Sequence, residues 1–222
     1  MSAPISFQKI VQNNNQINQS MNLITLKKIF NREAKILYAE RNKVFTVDSD
    51  NKNFLKLLCK YFAKDLSFET EHGGSLNKGL FIYGNPGSGK TTSLDIIRNI
   101  SLKYNIRQLW FPKIEAYEVV NKYNMDKNKD SVIINYSKGN FMFDDIGGEH
   151  SANNIHVFGK EDIFIRIFLS RYNEFVNKGT KTYITSNLPM PAIQKRYGER
   201  VEDRFYEMFN LLELNVTGEG RR

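Results

Sequence analysis

The sequence has one cysteine, no long apolar run and no internal repeat. With Cys59 alone among 222 residues, an internal disulfide and a cysteine-based metal cluster are both excluded. No apolar stretch approaches the roughly 20 residues needed to cross a bilayer, so no membrane segment is expected. Met1 to Gln12 lacks the compact apolar block of a secretory leader, and a cytoplasmic address is the expectation. The histidines, His72, His150 and His156, have no metal-ligand spacing.

What is present is the composition of a soluble globular chain, 41% hydrophobic and 25% charged, with a net charge of +8. Its length suits one sizeable core with a small appendage. A basic excess of this size fits a polyanionic partner or a solvated basic surface equally well. The excess is uneven: residues 1–45 hold seven Lys or Arg against Glu33 and Glu40.

The opening is polar, with Gln12-Asn13-Asn14-Asn15-Gln16 at its centre, and predicts no packed structure of its own. From Leu23 to Arg41, Leu26, Ile29, Phe30, Ala34 and Leu37 recur at helical spacing, with Lys27, Lys28, Arg32 and Lys35 mostly off that stripe. This basic amphipathic helix either packs on its own domain or docks a partner. The expected division is therefore an N-terminal extension over 1–45 and a nucleotide-binding domain over 46–222. A second stripe, Phe54, Leu57, Leu58, Tyr61 and Phe62, predicts a buried helix face, with Cys59 as an inert core residue beside it.

Strands are expected at 79–83, 108–111, 140–143, 181–185 and 211–214. Helices are expected at 90–104, 114–123, 162–176 and 193–208. The alternation predicts an α/β fold with a parallel sheet covered on both faces.

Gly84-Asn85-Pro86-Gly87-Ser88-Gly89-Lys90-Thr91, continued by Thr92, fits the P-loop pattern at every defined position. Glycines let successive N–H groups turn inward on phosphate oxygens, and the following helix adds its positive end. Lys90 would reach the β- and γ-phosphates of ATP, and the Thr91 hydroxyl would ligate Mg²⁺. An apolar strand before the motif and an amphipathic helix after it are the context it requires. Phe141-Met142-Phe143-Asp144-Asp145 adds two carboxylates at another strand end. Asp144 would hold Mg²⁺ through water, and Asp145 would orient or deprotonate the attacking water, with Glu149 as the reserve base. Asn187, in Thr185-Ser186-Asn187, ends a further strand where a γ-phosphate would sit, although the turn before Pro189 also explains an Asn there. Arg200 and Arg204 lie one helical turn apart, either as a solvated face or as an arginine reaching a neighbouring subunit's nucleotide.

These residues resemble the AAA+ ATPases of the DnaC type, the bacterial helicase loaders, and the related IstB-type ATPases of insertion sequences. The resemblance runs from Leu80 to the C-terminus. It is carried by the P-loop, Asp144-Asp145-Ile146-Gly147, Ile184-Thr185-Ser186-Asn187-Leu188 and Gly198-Glu199-Arg200-Val201 with Asp203-Arg204. It implies a five-stranded sheet of order 5-1-4-3-2 and a Mg²⁺-dependent ATPase with nucleotide bound between subunits of an ATP-dependent oligomer. Asn187 would be the polar sensor, Arg204 the arginine finger, and Arg221 or Arg222 the late sensor arginine. Arg171, in Ser170-Arg171-Tyr172, also resembles the family without an assigned role. Many AAA+ enzymes have Glu where this chain has Asp145, one methylene shorter, which implies slow or partner-triggered hydrolysis.

The resemblance implies replicative DNA helicase and single-stranded DNA as partners, with the basic helix as the grip on the helicase. The alternative is an ATPase partner of a transposase acting on double-stranded DNA. A small-molecule P-loop kinase is the remote third reading; Asn187 and Arg204 at AAA+ spacing count against it. Lys122, Lys127, Lys129 and Lys138, clustered around Tyr123 and Tyr136, could form a loop that tracks a phosphate backbone with aromatic stacking.

Overall fold

Five short, largely apolar segments pair in parallel as one sheet: β1 (Gly79–Tyr83), β2 (Lys113–Glu115), β3 (Phe141–Ile146), β4 (Thr182–Ser186) and β5 (Phe209–Glu213). Their order is β2-β3-β4-β1-β5, the order that the resemblance implied. The computed structural model describes residues 21–149 and 162–217. Gln12 to Gln16, His150, His156, Arg221 and Arg222 lie outside the described residues.

Side chains alternate across a strand, and β1 divides the core accordingly. Leu80 and Ile82 pack on one face with α1 (Leu23–Glu40), α2 (Lys52–Phe62) and α4 (Lys90–Tyr104); Phe68 joins them from the short α3 (Ser67–Thr70). Phe81 faces the other side. There it meets α5 (Ala116–Met125), α6 (Lys129–Ser137), α7 (Ile163–Lys178), α8 (Met190–Tyr197) and α9 (Glu199–Met208). With both faces covered, the central strands read as continuous apolar or small-polar runs, and every residue of β4 is buried.

Three sequence expectations are corrected. The second strand is 113–115, not 108–111. Arg107–Leu109 is a 3-10 turn, and the run was apolar because Leu109 and Phe111 plug the core beside α4. Pairing begins only past Pro112, whose C=O accepts from Met142 N–H at 2.8 Å. The helix expected over 193–208 is two helices, broken at Gly198, whose φ of 91° no L-residue adopts comfortably. The Lys-rich segment expected as a loop contains α6, capped by the Asn128 side chain and anchored by Val132 and Ile133. Tyr123 is buried, with Lys129 over its ring at 5.3 Å, and Lys122 lies over Tyr136 at 5.8 Å. These cation–ring pairs are internal to the domain, which removes Tyr123 as a stacking platform for a base.

The boundary expected at residue 45 does not separate two packing units. Leu26, Ile29, Phe30 and Ala34 of α1 belong to the same core as β1 and α4. Glu33, 7% exposed, locks the contact: its carboxylate accepts from Lys103 Nζ and Tyr104 OH, each at 2.7 Å. Lys27, Lys28 and Lys35 remain exposed on the outer side. Cys59 is buried, and burial pushes its thiol up to about 12, which keeps it protonated and inert.

Arg171 of α7 is fully buried, with 0% exposure. It donates to Thr182 Oγ1 (2.7 Å), Tyr136 O (2.8 Å), Gly139 O (2.8 Å) and Lys181 O (3.1 Å). One guanidinium thus joins the end of α6, the turn before β3 and the start of β4, although burial lowers its pKa to about 9. Arg171→Met keeps the volume but strips these acceptors of donors, so urea unfolding should show a loss of about 3 kcal/mol or more. A loss below about 1 kcal/mol would mean that solvent satisfies the carbonyls instead.

Candidate functional site

β1 leads directly into the P-loop, which winds back over the sheet before α4 starts at Lys90. Gly84 is required by close approach: a Cβ there would lie 2.0 Å from Leu214 O. The chain leaving β5 clasps the loop through Asn85. Its N–H donates to Asn215 Oδ1 (2.8 Å), its Nδ2 to Val216 O (2.9 Å), and its Oδ1 accepts from Val216 N–H (3.0 Å). Gly89 is the N-cap of α4, so the helix's unpaired N–H groups and positive end open on the loop. Lys90 Nζ folds across it, donating to Gly84 O (2.8 Å), Asn85 O (2.9 Å) and Asn187 Oδ1 (3.0 Å).

The carboxylates are aimed by an irregularity in β3. Phe143 pairs with Ile184 and Ile146 with Ser186, so two residues of β3 oppose Thr185 alone. That bulge turns Asp144 and Asp145 toward the same partner. Thr185 Oγ1 donates to Asp144 Oδ1 and accepts from Asp145 N–H at 3.0 Å. Asp145 takes the extra residue's strain, with φ at 58°. Its Oδ1 accepts from Asn187 Nδ2 at 2.9 Å. Asn187 therefore connects Lys90 to Asp145.

Asp144 is 5% exposed and fully engaged. Besides Thr185, the Thr91 hydroxyl donates to Oδ1 at 2.7 Å, and Lys113 Nζ stands 3.0 Å from Oδ2. Lys113 also pairs with Asp95 of α4 at 3.0 Å. Burial opposes its charge, but Asp144 and Asp95 outweigh that and hold its pKa above the ordinary lysine value. A half-buried hydroxyl and a buried carboxylate meeting at a P-loop fit Mg²⁺, which favours oxygen donors and shares its shell with phosphates and water. Among the described residues no cluster of three or more His, Cys, Asp or Glu could hold a metal ion.

A cavity of about 460 Å³ opens here, lined by Lys90, Thr91, Asp144, Asp145, Thr185 and Asn187 among others. Glu149, the reserve base, does not line it. Its Oε2 accepts from Gly147 N–H (2.8 Å), and its Oε1 accepts from Arg196 Nη2 (2.9 Å) and from the Tyr197 hydroxyl. Burial raises its pKa. Its carboxylate holds the end of the β3 loop to α8. Arg204 also lies away from the cavity of its own chain. Its guanidinium sits 4.3 Å from the Tyr172 ring centre and pairs with Glu207 at 2.8 Å.

Sequence reading missed Thr185 as the clamp on both aspartates, although the residue stood inside a quoted motif. It also missed Lys113, which meets Asp95 and Asp144 only through the fold. Tyr38, Arg41 and Lys43 complete the cavity wall; the last two had been counted only as net charge.

With this topology and loop, the chain has the fold of the AAA+ P-loop ATPases. By fold it is similar to a solved structure of DnaI, with a TM-score of 0.52 and 20% identity, covering 77% of this chain and 88% of that one. It is likewise similar to the DnaC helicase loader, with a TM-score of 0.52 and 21% identity over 77% of this chain and 93% of that one. The replication initiator DnaA bound to AMPPCP and single-stranded DNA gives a TM-score of 0.52 at 19% identity, over 82% of this chain and 50% of that one. No family model matches the sequence, and no curated protein matches it.

Asn tolerates the left-handed conformation of Asp145, whereas a β-branched residue does not. Asp145→Asn should therefore change thermal or urea stability by no more than about 0.5 kcal/mol, while Asp145→Val should cost about 2 kcal/mol. Equal stability of the two variants would show that the bulge is not strained at this residue.

Proposed function

We propose that this chain binds and hydrolyses ATP and acts in DNA replication as a loader of the replicative helicase onto single-stranded DNA. The observation that carries the reading is the convergence of Lys90, Thr91, Asp144, Asp145 and Asn187 on one cavity beside the P-loop. The loop's N–H groups and Lys90 would bind the phosphates, and Thr91 with Asp144 would hold magnesium. That ion would neutralise charge on the β- and γ-phosphates. Asp145, poised by Asn187, would orient or take the proton of the attacking water, and its short side chain is consistent with slow turnover that a partner accelerates.

Arg204 is held by Tyr172 and Glu207 on the surface, a placement suited to the nucleotide of a neighbouring copy rather than its own. In an assembled state, Arg204→Ala should leave ATP affinity within about threefold and lower turnover by roughly a hundredfold or more. Unchanged turnover in the assembled state would remove Arg204 from the reaction.

Helicase binding is assigned to the outer face of α1, where Lys27, Lys28 and Lys35 flank Ile24 and Ile36, which are 68% and 41% exposed. Deleting the helix would also strip Leu26, Ile29 and Phe30 from the core, so charge reversal is the cleaner probe. With ATP, the wild-type chain should retain the replicative helicase of the same genome. Lys27→Glu/Lys28→Glu/Lys35→Glu should lose it while still turning over ATP. Failure of the wild type to retain helicase would leave an ATPase and shift the reading to a transposase partner.

A further inference from the structure

α1 and α4 lie antiparallel. Glu33 of α1 bonds Lys103 and Tyr104 at the end of α4, and Leu37 and Glu40 share a groove with Ile96 and Asn99 further back along it. Tyr38, Arg41 and Lys43 then reach the cavity beside Thr91, Thr92 and Asp95, in the first turns of α4. The C-terminal end of α1 is thereby brought to the phosphate-binding end of α4.

The turn that ends α1 is well determined. Asn42 takes φ 55°, its N–H bonds Ala39 O at 2.9 Å, and Lys43 N–H bonds Tyr38 O at 2.9 Å. This is the paired closure of a Schellman motif, with Asn in the place glycine usually occupies. Tyr38 is buried and packs edge-on against Phe45 at 5.3 Å, which fixes the base of the turn. Arg41 and Lys43 project from it, and among the described residues neither has an ion-pair partner. Of the carboxylates that line the same cavity, Asp95 pairs with Arg98 and Lys113, Asp144 pairs with Lys113, and Asp145 accepts from Asn187; Glu115 lines it as well.

Resting on the nucleotide reading above, we infer that Arg41 and Lys43 form a cationic arm, supplied by the same chain, that contacts the terminal phosphate of a bound nucleoside triphosphate. The charge balance of the cavity supports it. A triphosphate with one divalent cation keeps a net negative charge, and Lys90 offsets only part of it. Arg41 and Lys43 line the same cavity as Asp144, Asp145 and Asn187, the residues that on the nucleotide reading would face the last phosphate of a chain threaded through the P-loop. A diphosphate lacks the group they would meet. Cations at a helix C-terminus also offset its partial negative charge, which accounts for their tolerance at this turn but not for their position in the cavity wall.

The test is the discrimination between AMPPNP and ADP, each with Mg²⁺, by isothermal titration of the full chain. Arg41→Ala/Lys43→Ala should weaken AMPPNP about tenfold or more and ADP less than about threefold. Arg41→Lys/Lys43→Arg should keep most of the discrimination. Both pairs change exposed residues, and an unchanged far-UV spectrum and melting temperature establish that the fold is intact. Equal weakening of both nucleotides, or no change in either, overturns the inference. Lys90→Ala is the control for the site itself. If the wild type binds neither nucleotide, or Lys90→Ala binds as well as wild type, the P-loop reading falls and this inference falls with it. If only the Arg41/Lys43 result fails, the P-loop reading stands.

Discussion

A carboxylate taken out of water costs several kcal/mol unless charge and hydrogen bonds are returned to it, and Asp144 is where this structure meets that demand. It receives the Thr91 hydroxyl from α4, the Thr185 hydroxyl from β4 and the Lys113 ammonium from β2. Donors to a charged group are worth about 1.5–3 kcal/mol each, so the three together are of the size needed to offset the burial. Their origins matter more than their sum. The residue joins three neighbouring strands and the P-loop helix, and Lys113 adds a second tie to that helix through Asp95. Loss of any one donor would disturb both the Asp144 carboxylate and the seat of α4 on the sheet.

The bulge in β3 follows from the same demand. An undistorted strand would send successive carboxylates to opposite faces of the sheet. Opposing both to Thr185 turns them to one side, and the local strain falls on Asp145 in a left-handed conformation. Strain of this kind persists only where the surroundings over-determine it. Here the backbone N–H of Asp145 is held by Thr185 and its carboxylate by Asn187. Asn187 in turn bonds Lys90, so the residue at the end of β4 senses the P-loop and the second aspartate together. A phosphate that drew Lys90 away would free the Asn187 carbonyl and with it the orientation of Asp145.

The fold was largely legible because its signals are local and periodic. Strand-loop-helix context around the P-loop, apolar runs bounded by turns and the alternation of strands with helices led to the parallel sheet, and the resemblance supplied its order. The misplaced second strand shows the limit: Leu109, Trp110 and Phe111 look like a strand by hydropathy, yet Leu109 and Phe111 are buried plugs, and Pro112 delays the pairing. At the site, residues recognised by motif spacing were legible, while Thr185, Lys113 and Arg171 were not. Their roles arise from contacts across strands, as when Arg171 meets carbonyls at 136, 139 and 181, and spacing carries no trace of such closures. The surroundings of Glu149 were hidden for the same reason: its nearness in sequence to Asp145 says nothing of Arg196 and Tyr197, which come from α8 to bind it.

The basic N-terminal segment was one feature in the sequence and is two in the structure. Lys27, Lys28 and Lys35 are exposed along a helix whose apolar stripe is buried against α4, and Arg41 and Lys43, at and just past its C-terminal end, line the cavity. A ligand shifts a conformational equilibrium only by the difference in its affinity for the two states. A triphosphate contacting Arg41 and Lys43 would favour the docked position of α1, and a partner gripping the outer face would favour whichever position it reads. Because both act on the same helix, their coupling would be reciprocal: whatever the nucleotide does to partner affinity, the partner does to nucleotide affinity by the same factor. The Glu33 contacts with Lys103 and Tyr104 would set the stiffness of that link, since they hold the middle of the helix to the end of α4 while its C-terminal end reaches the cavity.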